Sequence, residues 1–208
     1  MAGTNAPFDV EARMAEIAGK PQRVGMLSFD DLSEEQLDMI NRLRAGAGAG
    51  PATAENIPEF FLVAVKHPAL FRYQVEGGTI FYNGTIPKRE RELAVLRLAW
   101  LSGAPYEWGE HVDIGKRYGV TAEEIERVTQ GSSAAGWSEH DAAVVRGVEE
   151  LLENKILTDD TWDTLAKSWS EQQLMEFPML VGAYLATAFQ QNSLRLRLAP
   201  DNPGLSHR

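Results

Sequence analysis

The stretch from Glu92 to His111 (ELAVLRLAWLSGAPYEWGEH) constrains the fold of this chain more than any other segment. Its first part is apolar on nearly every side of a helix, which is typical of a central helix covered by other helices. A Gly-Ala-Pro break follows, and Pro105 suits the first turn of the next helix. The segment therefore predicts a buried central helix that is followed directly by a second one.

Capping patterns divide the rest of the chain into further helices. At several places Ser or Thr stands three residues before Gln, Glu or Asp, a spacing typical of a helix N-terminus. These pairs are Ser33–Gln36, Thr121–Glu124, Ser138–Asp141 and Ser170–Gln173. Strand signals are weak, because no second alternating run follows the Asn-Gly pair at 83–84. We predict an all-α, multi-helix bundle, with a frayed tail over residues 198–208.

A glycine-rich run at residues 46–51 is the clearest connector in the sequence. It lacks the Gly-Lys-Ser/Thr ending of a phosphate-binding loop, and no strand leads into it, so we interpret it as a linker. We predict an N-terminal helical arm over residues 1–50 and a helical domain over residues 51–208. The arm could serve as a lid, as a subunit contact or as plain packing, and the sequence favours none of these.

Charge and composition exclude several classes of function. A formal net charge of −10 disfavours binding to nucleic acid and to anionic membranes. The absence of cysteine excludes disulfides, thiolate metal sites and thiol redox chemistry. No zinc motif is present, no apolar run is long enough to span a bilayer, and no secretory signal is visible. We therefore expect a cytoplasmic protein that uses neither a metal nor a cofactor.

Three residues are candidates for acid–base chemistry. Glu107 and His111 lie four residues apart, which puts both on one face of a helix. In the functional interpretation Glu107 orients the imidazole and His111 transfers a proton; the alternative is an ordinary surface contact. Glu92 is expected to be buried, and a buried carboxylate needs a partner. That partner is either the helix carrying His111 or one of the nearby arginines, Arg89, Arg91 and Arg97.

The same segment contains candidates for substrate binding. Arg89 or Arg91 could bind a carboxylate or enolate oxygen of a substrate. Tyr106 and Trp108 flank Glu107 and could wall a pocket for a flat compound. Aromatic residues at helical spacing are also common in protein cores. Tyr106 and Trp108 could therefore either line a substrate pocket or pack in the core.

Residues 87–128 (PKRERELAVLRLAWLSGAPYEWGEHVDIGKRYGVTAEEIERV) resemble the carboxymuconolactone decarboxylase family, within the alkylhydroperoxidase-D-like superfamily. The matching features are two arginines just before Glu92, the Leu-Ala-x-Leu-Arg run, the Glu-x-x-x-His pair, and Gly-Val-Thr followed by Glu-Glu-Ile. The resemblance implies an all-α fold. It also implies a homo-oligomer, commonly a trimer or a hexamer of two trimers.

The resemblance also limits the chemistry. Members of the peroxidase branch carry two cysteines at the positions of Ala104 and Glu107, so this chain cannot act as a dithiol peroxidase. The decarboxylase branch is similar to this chain at Glu107, which favours acid–base chemistry.

The favoured hypothesis is a cofactor-independent lyase of decarboxylase type, with Glu92, Glu107 and His111 acting on a small carboxylated or aromatic-derived metabolite. A lyase or isomerase that does not release carbon dioxide is equally compatible. From a different class, a non-catalytic binding or assembly protein that has lost its redox cysteines is the alternative. Self-association is expected as well, because the apolar stretches exceed what a small monomer easily covers.

Overall fold

A computed structural model describes residues 6–46 and 49–208, and ten α-helices and no strand occur in those residues. The helices are α1 Val10–Ile17, α2 Glu34–Gly46, α3 Glu59–Ala64, α4 Pro68–Tyr82, α5 Lys88–Leu101, α6 Pro105–Arg117, α7 Ala122–Gln130, α8 Glu139–Asn154, α9 Asp159–Ala166 and α10 Glu171–Leu194. Short 3₁₀ turns lie at Phe29–Asp31 and Gly204–Ser206. The predicted all-α fold is therefore confirmed. Residues 47–48 of the predicted linker lie outside the described residues.

The chain forms two compact units. The larger unit contains residues 1–21 and 85–208, and the smaller one contains residues 22–84. The boundary that we predicted at residue 50 lies inside the smaller unit, in which α2, α3 and α4 enclose a core around Ile40, Val65 and Phe71. The division into an arm and a domain at that point stays a prediction.

Helix α5 occupies the centre of the larger unit. It packs against α6, α7, α8 and α10, and every residue from Arg91 to Trp100 is buried. An apolar surface on every side of the helix explains this position, because each face finds an apolar neighbour. Three charged side chains, those of Arg91, Glu92 and Arg97, are buried with it, and each must therefore find partners inside the protein.

Local caps set where the helices begin and end. At Thr121 the hydroxyl accepts a hydrogen bond from the Glu124 amide, and the Glu124 carboxylate accepts one from the Thr121 amide. Helix α7 then ends at Gly131, whose φ of 97° is a left-handed value that favours glycine. Ser170 and Gln173 form a second reciprocal cap at the start of α10. These contacts depend on residues three positions apart, which is why the sequence revealed them.

The C-terminal tail is ordered, and the prediction that it frays is wrong. Leu205 is fully buried, and the indole Nε1 of Trp108 donates a hydrogen bond to the carbonyl oxygen of His207 at 3.1 Å. Asn202 Nδ2 donates to the Glu110 carboxylate at 3.1 Å. The tail is thus held along α6 by tertiary contacts, which local composition does not reveal.

Within the described residues, no helix combines the length and the apolar character that crossing a membrane requires.

A buried glutamate–histidine pair as candidate active site

The candidate site is centred on a contact between α5 and α6. The Nδ1 atom of His111 lies 2.7 Å from Oε2 of Glu92. The Glu92 side chain is completely buried, whereas the His111 side chain keeps 12% of its surface exposed. Because a carboxylate accepts hydrogen bonds, Nδ1 carries the proton in this contact. The other ring nitrogen, Nε2, is then the one that can give or take a proton.

Arg91 contacts the second oxygen of the same carboxylate. Its Nε donates to Glu92 Oε1 at 2.7 Å, and its Nη2 lies 2.6 Å from that oxygen. The guanidinium also stacks over the ring of Tyr118, 5.2 Å from its centroid. Glu92 therefore has one oxygen on a guanidinium and the other on an imidazole, a fully partnered arrangement for a buried acid.

These partners determine the protonation of Glu92. Burial by itself would raise the pKa of this carboxyl, but the interactions with His111 and Arg91 outweigh burial and hold the pKa below its ordinary value. Burial likewise opposes the charge of Arg91, yet its pairing with Glu92 leaves the pKa of the guanidinium raised. Near neutral pH Glu92 is therefore an ionised carboxylate that holds the Nδ1 side of the His111 ring.

Helix α10 provides a further neighbour of His111 that we did not predict. The rings of His111 and Tyr184 meet edge to face, with 5.2 Å between their centroids. Tyr184 lies far from His111 in the sequence, in an apolar helix where an aromatic residue suggests nothing beyond core packing. No sequence pattern links the two residues, and only the packing of α10 against α6 brings them together.

Glu107 is buried in a different way. Its side chain is almost completely inaccessible, and neither carboxylate oxygen receives a hydrogen bond from any described residue. Burial raises its pKa well above the ordinary value. Burial therefore favours the protonated form of this side chain, which can donate a hydrogen bond rather than carry a charge.

The structure corrects the predicted pairing of Glu107 with His111. We expected Glu107 to orient the imidazole, because the two residues are one turn apart on α6. Instead Glu92 accepts the hydrogen bond from the ring, whereas Glu107 has no such contact. Residues four apart on a helix share a face, but their side chains meet only if neither finds a better partner on an adjacent helix.

The three arginines that we considered as partners of Glu92 form ion pairs with different carboxylates. Arg89 pairs with Asp141 at 2.9 Å and also with Glu124, so it joins α5 to α7 and α8. Arg97 pairs with Glu149 at 2.8 Å, and its Nη1 donates to the carbonyl oxygen of Val128. Of the three arginines that we considered as partners of Glu92, the structure selects Arg91.

The two aromatic candidates lie in different surroundings. Trp108 is fully buried, with its ring 5.0 Å from that of Trp100. The structure thus places it in the core beneath the tail. Tyr106 is half-buried at the start of α6. Their predicted role in substrate binding stays a prediction.

Among residues 6–46 and 49–208, no group of three or more His, Asp or Glu side chains is arranged to hold a metal ion.

Part of the chain matches a known protein family. Residues 68–149, which include both members of the pair, match the Carboxymuconolactone decarboxylase family. The match is limited to this segment, and the sequence contains no cysteine. The resemblance seen in the sequence is therefore confirmed.

Solved structures share the helical fold along most of the chain. One is the alkylhydroperoxidase AhpD core of a peroxidase-related protein from Ralstonia eutropha, with a TM-score of 0.72 and 15% identity over 88% of this chain and 95% of that chain. A peroxidase-related protein from Silicibacter has a TM-score of 0.71 and 9% identity over 88% of this chain and 94% of that chain.

The debrominase Bmp8 has the same fold, with a TM-score of 0.68 and 15% identity over 86% of this chain and 94% of that chain. At these identities the likeness concerns the fold alone. No protein with curated function matches the sequence.

Proposed function

We propose that this protein is a cofactor-independent lyase of decarboxylase type, in which His111 transfers a proton to or from a small carboxylated or aromatic-derived compound. The observation that carries the proposal is the 2.7 Å contact between His111 Nδ1 and Glu92 Oε2, in a site where Arg91 holds the other oxygen. A histidine fixed at Nδ1 by an ionised carboxylate is oriented for proton transfer at Nε2.

In the proposed reaction the substrate supplies its own electron sink, such as a conjugated lactone or ketone. The bond between the substrate carbon and its carboxylate breaks, carbon dioxide leaves, and the electron pair moves into the conjugated carbonyl. His111 then delivers a proton from Nε2 to the carbon that lost the carboxylate. Glu92 stays ionised throughout and stabilises the imidazolium form of the ring.

Glu107 is proposed to act as a neutral hydrogen-bond donor. It lies one turn before His111 on α6, and burial raises the pKa of its carboxyl, which favours the protonated form. A protonated carboxylic acid can stabilise the oxyanion of a dienolate without adding negative charge of its own. Arg91 is already paired with Glu92, so its proposed role is to keep that carboxylate ionised.

A lyase that keeps the carboxylate is compatible with the same residues. In that case the imidazole removes a proton next to a carbonyl, and another group leaves. One relative of the same fold is a debrominase with a structure in complex with 2,3,4-tribromopyrrole. That ligand supports a small ring compound as the class to test first for either reaction.

The test is an activity assay on small carboxylated lactones and aromatic acids in deuterated water. A decarboxylase releases carbon dioxide and gains one deuterium at the carbon that lost the carboxylate, whereas the other lyase yields a product that still contains the carboxylate. Mass spectrometry of the products separates these outcomes.

His111→Asn should lower the rate at least about 100-fold on whichever substrate is found. A matched control is His140→Asn, because His140 also contacts a glutamate, Glu90, at 3.1 Å but lies outside the site. Unchanged turnover in the His111 variant would refute the proposal. If no compound turns over or binds, the non-catalytic interpretation replaces it.

A further inference from the structure

Two buried side chains of the larger unit contain oxygen atoms without a hydrogen-bond donor. Glu107 on α6 is almost completely inaccessible, and neither of its carboxylate oxygens receives a hydrogen bond from a described residue. Gln191 on α10 exposes only 6% of its surface, and its Oε1 atom receives none either. Such atoms are rare in proteins, because each gives up the hydrogen bond that water would supply. Both side chains therefore require an explanation.

Two contacts fix how α10 runs along α6. At one end the rings of His111 and Tyr184 meet with 5.2 Å between their centroids. At the other end Nδ2 of Asn192 donates to the carbonyl oxygen of Gly103 at 3.3 Å, just before α6 begins. From Tyr184 to Asn192 the chain advances by eight residues, and from His111 to Gly103 it goes back by eight. The two helices are therefore antiparallel and stay in register between these contacts.

This register brings Glu107 and Gln191 together. Glu107 lies midway between the two contacts, opposite the small side chain of Ala188. Gln191 comes three residues after Ala188, or about 4.5 Å further along the axis. It also comes seven residues after Tyr184, so it points to the same side of α10 as the ring that touches His111. Side chains lean toward the N-terminus of their own helix, and in antiparallel helices at this offset the two side chains lean toward each other.

A carboxylate oxygen and an amide oxygen both accept hydrogen bonds, so neither can satisfy the other unless a proton lies between them. From this geometry we infer that Glu107 is protonated in the resting protein and that its O–H donates a hydrogen bond to Oε1 of Gln191. A single proton then satisfies both buried groups. Burial, which raises the pKa of Glu107, favours the same protonated form.

The reverse arrangement is less favourable. If the amide of Gln191 were turned round, its Nε2 could donate to an ionised Glu107. That would leave a full negative charge buried with one neutral partner, whereas the other buried carboxylate of the site, Glu92, has both a guanidinium and an imidazole. The shared proton avoids a buried charge altogether.

This bond makes Gln191 a positioning residue for Glu107. That role rests on the proposed function, in which Glu107 donates a hydrogen bond to the oxyanion of the substrate, whereas the bond itself does not. The neutral carbonyl of a bound substrate competes with the amide oxygen of Gln191 on equal terms. An oxyanion is a stronger acceptor than either. Gln191 therefore reserves the hydrogen bond of Glu107 for the charged intermediate, which is the species that catalysis must stabilise.

Infrared difference spectroscopy in deuterated water tests the bond without any substrate. At pH 6, where an exposed glutamate is ionised, the wild-type spectrum minus that of Glu107→Gln should contain the C=O stretching band of one protonated carboxyl group. The same difference taken in the Gln191→Met background should show that band at higher frequency, because the thioether is only a weak acceptor. Gln172→Met makes the same substitution at an exposed position of α10 and should leave the band unmoved.

Two results would overturn the inference. If the wild type shows no carboxyl band, Glu107 is ionised and the reverse arrangement holds. If the band is present but Gln191→Met does not move it, the acid donates to another group. Should the Met variant not fold, Gln191→Asn keeps the amide but withdraws its oxygen by about 1.5 Å, and it should shift the band in the same direction. Failure of the lyase proposal is a separate result, because it is measured by turnover in the His111 variant.

Discussion

Replacing Glu107 by Gln should stabilise the protein increasingly as the pH rises. The reason lies in the burial of a carboxyl group with no hydrogen-bond partner among the described residues, which raises its pKa well above its ordinary value. Below about pH 4.5 the group is protonated in both the folded and the unfolded chain, so it adds no pH dependence. Above that pH the unfolded chain loses the proton first, and folding then requires the proton to be taken up again.

The size of this pH effect on the unfolding free energy follows from the difference in bound protons between the unfolded and the folded chain. Between the unfolded and the folded pKa, the wild type loses about 1.4 kcal/mol of unfolding free energy for each pH unit. Glutamine has nearly the same shape and does not titrate, so this loss is absent from the variant. From pH 5 to pH 7 the stability difference between variant and wild type should therefore grow by up to about 2.7 kcal/mol. For a chain of this length that corresponds to about 5–11 °C in melting temperature.

Urea unfolding of both proteins at pH 5, 6, 7 and 8 and one protein concentration measures this slope. All other titrating groups are common to both proteins, so their contributions cancel in the difference. Glu123→Gln, on the exposed first turn of α7, is the control for the same substitution made at the protein surface. A difference that does not vary with pH for the Glu107 variant would show that this carboxyl is ionised or partnered in the folded protein, and the reasoning would be wrong.

Three further substitutions test other parts of the structure. Glu92→Gln leaves the guanidinium of Arg91 buried without its counter-charge, and urea unfolding should show a loss of about 3–5 kcal/mol; a loss below 1 kcal/mol would contradict the buried pairing. Gly109→Ala places a Cβ about 1.8 Å from Oδ1 of Asn202, so the tail must move away from α6. The Trp108 ring beneath the tail should then be more exposed, and a soluble quencher should reduce the tryptophan fluorescence more strongly. Unchanged quenching would contradict the docking of the tail. Thr121→Ala removes the cap of α7 and should lower the unfolding free energy by about 1 kcal/mol, whereas an unchanged value would mean that water replaces the cap.

Helix positions were predictable because their signals are local. The Thr121–Glu124 and Ser170–Gln173 caps depend on a spacing of three residues, and the structure contains both. The central place of α5 was equally predictable, because a helix that is apolar on every side is stable only if it is covered on every side. For the same reason the burial of Glu92 could be expected before its partner was known.

The partners of these residues depended on the tertiary structure. The sequence by itself identified Glu92, Glu107 and His111 as the ionisable residues of interest, because charge and burial can be judged from local context. Only the packing of α5 against α6 decided that Glu92 holds the imidazole and that Glu107 lies apart from it, buried and with no hydrogen-bond partner among the described residues. The contact of Tyr184 with His111 and the docking of the tail were decided in the same way. Helix periodicity sets which face a residue occupies, whereas contacts between helices depend on how those faces are rotated and packed, and no local spacing encodes that.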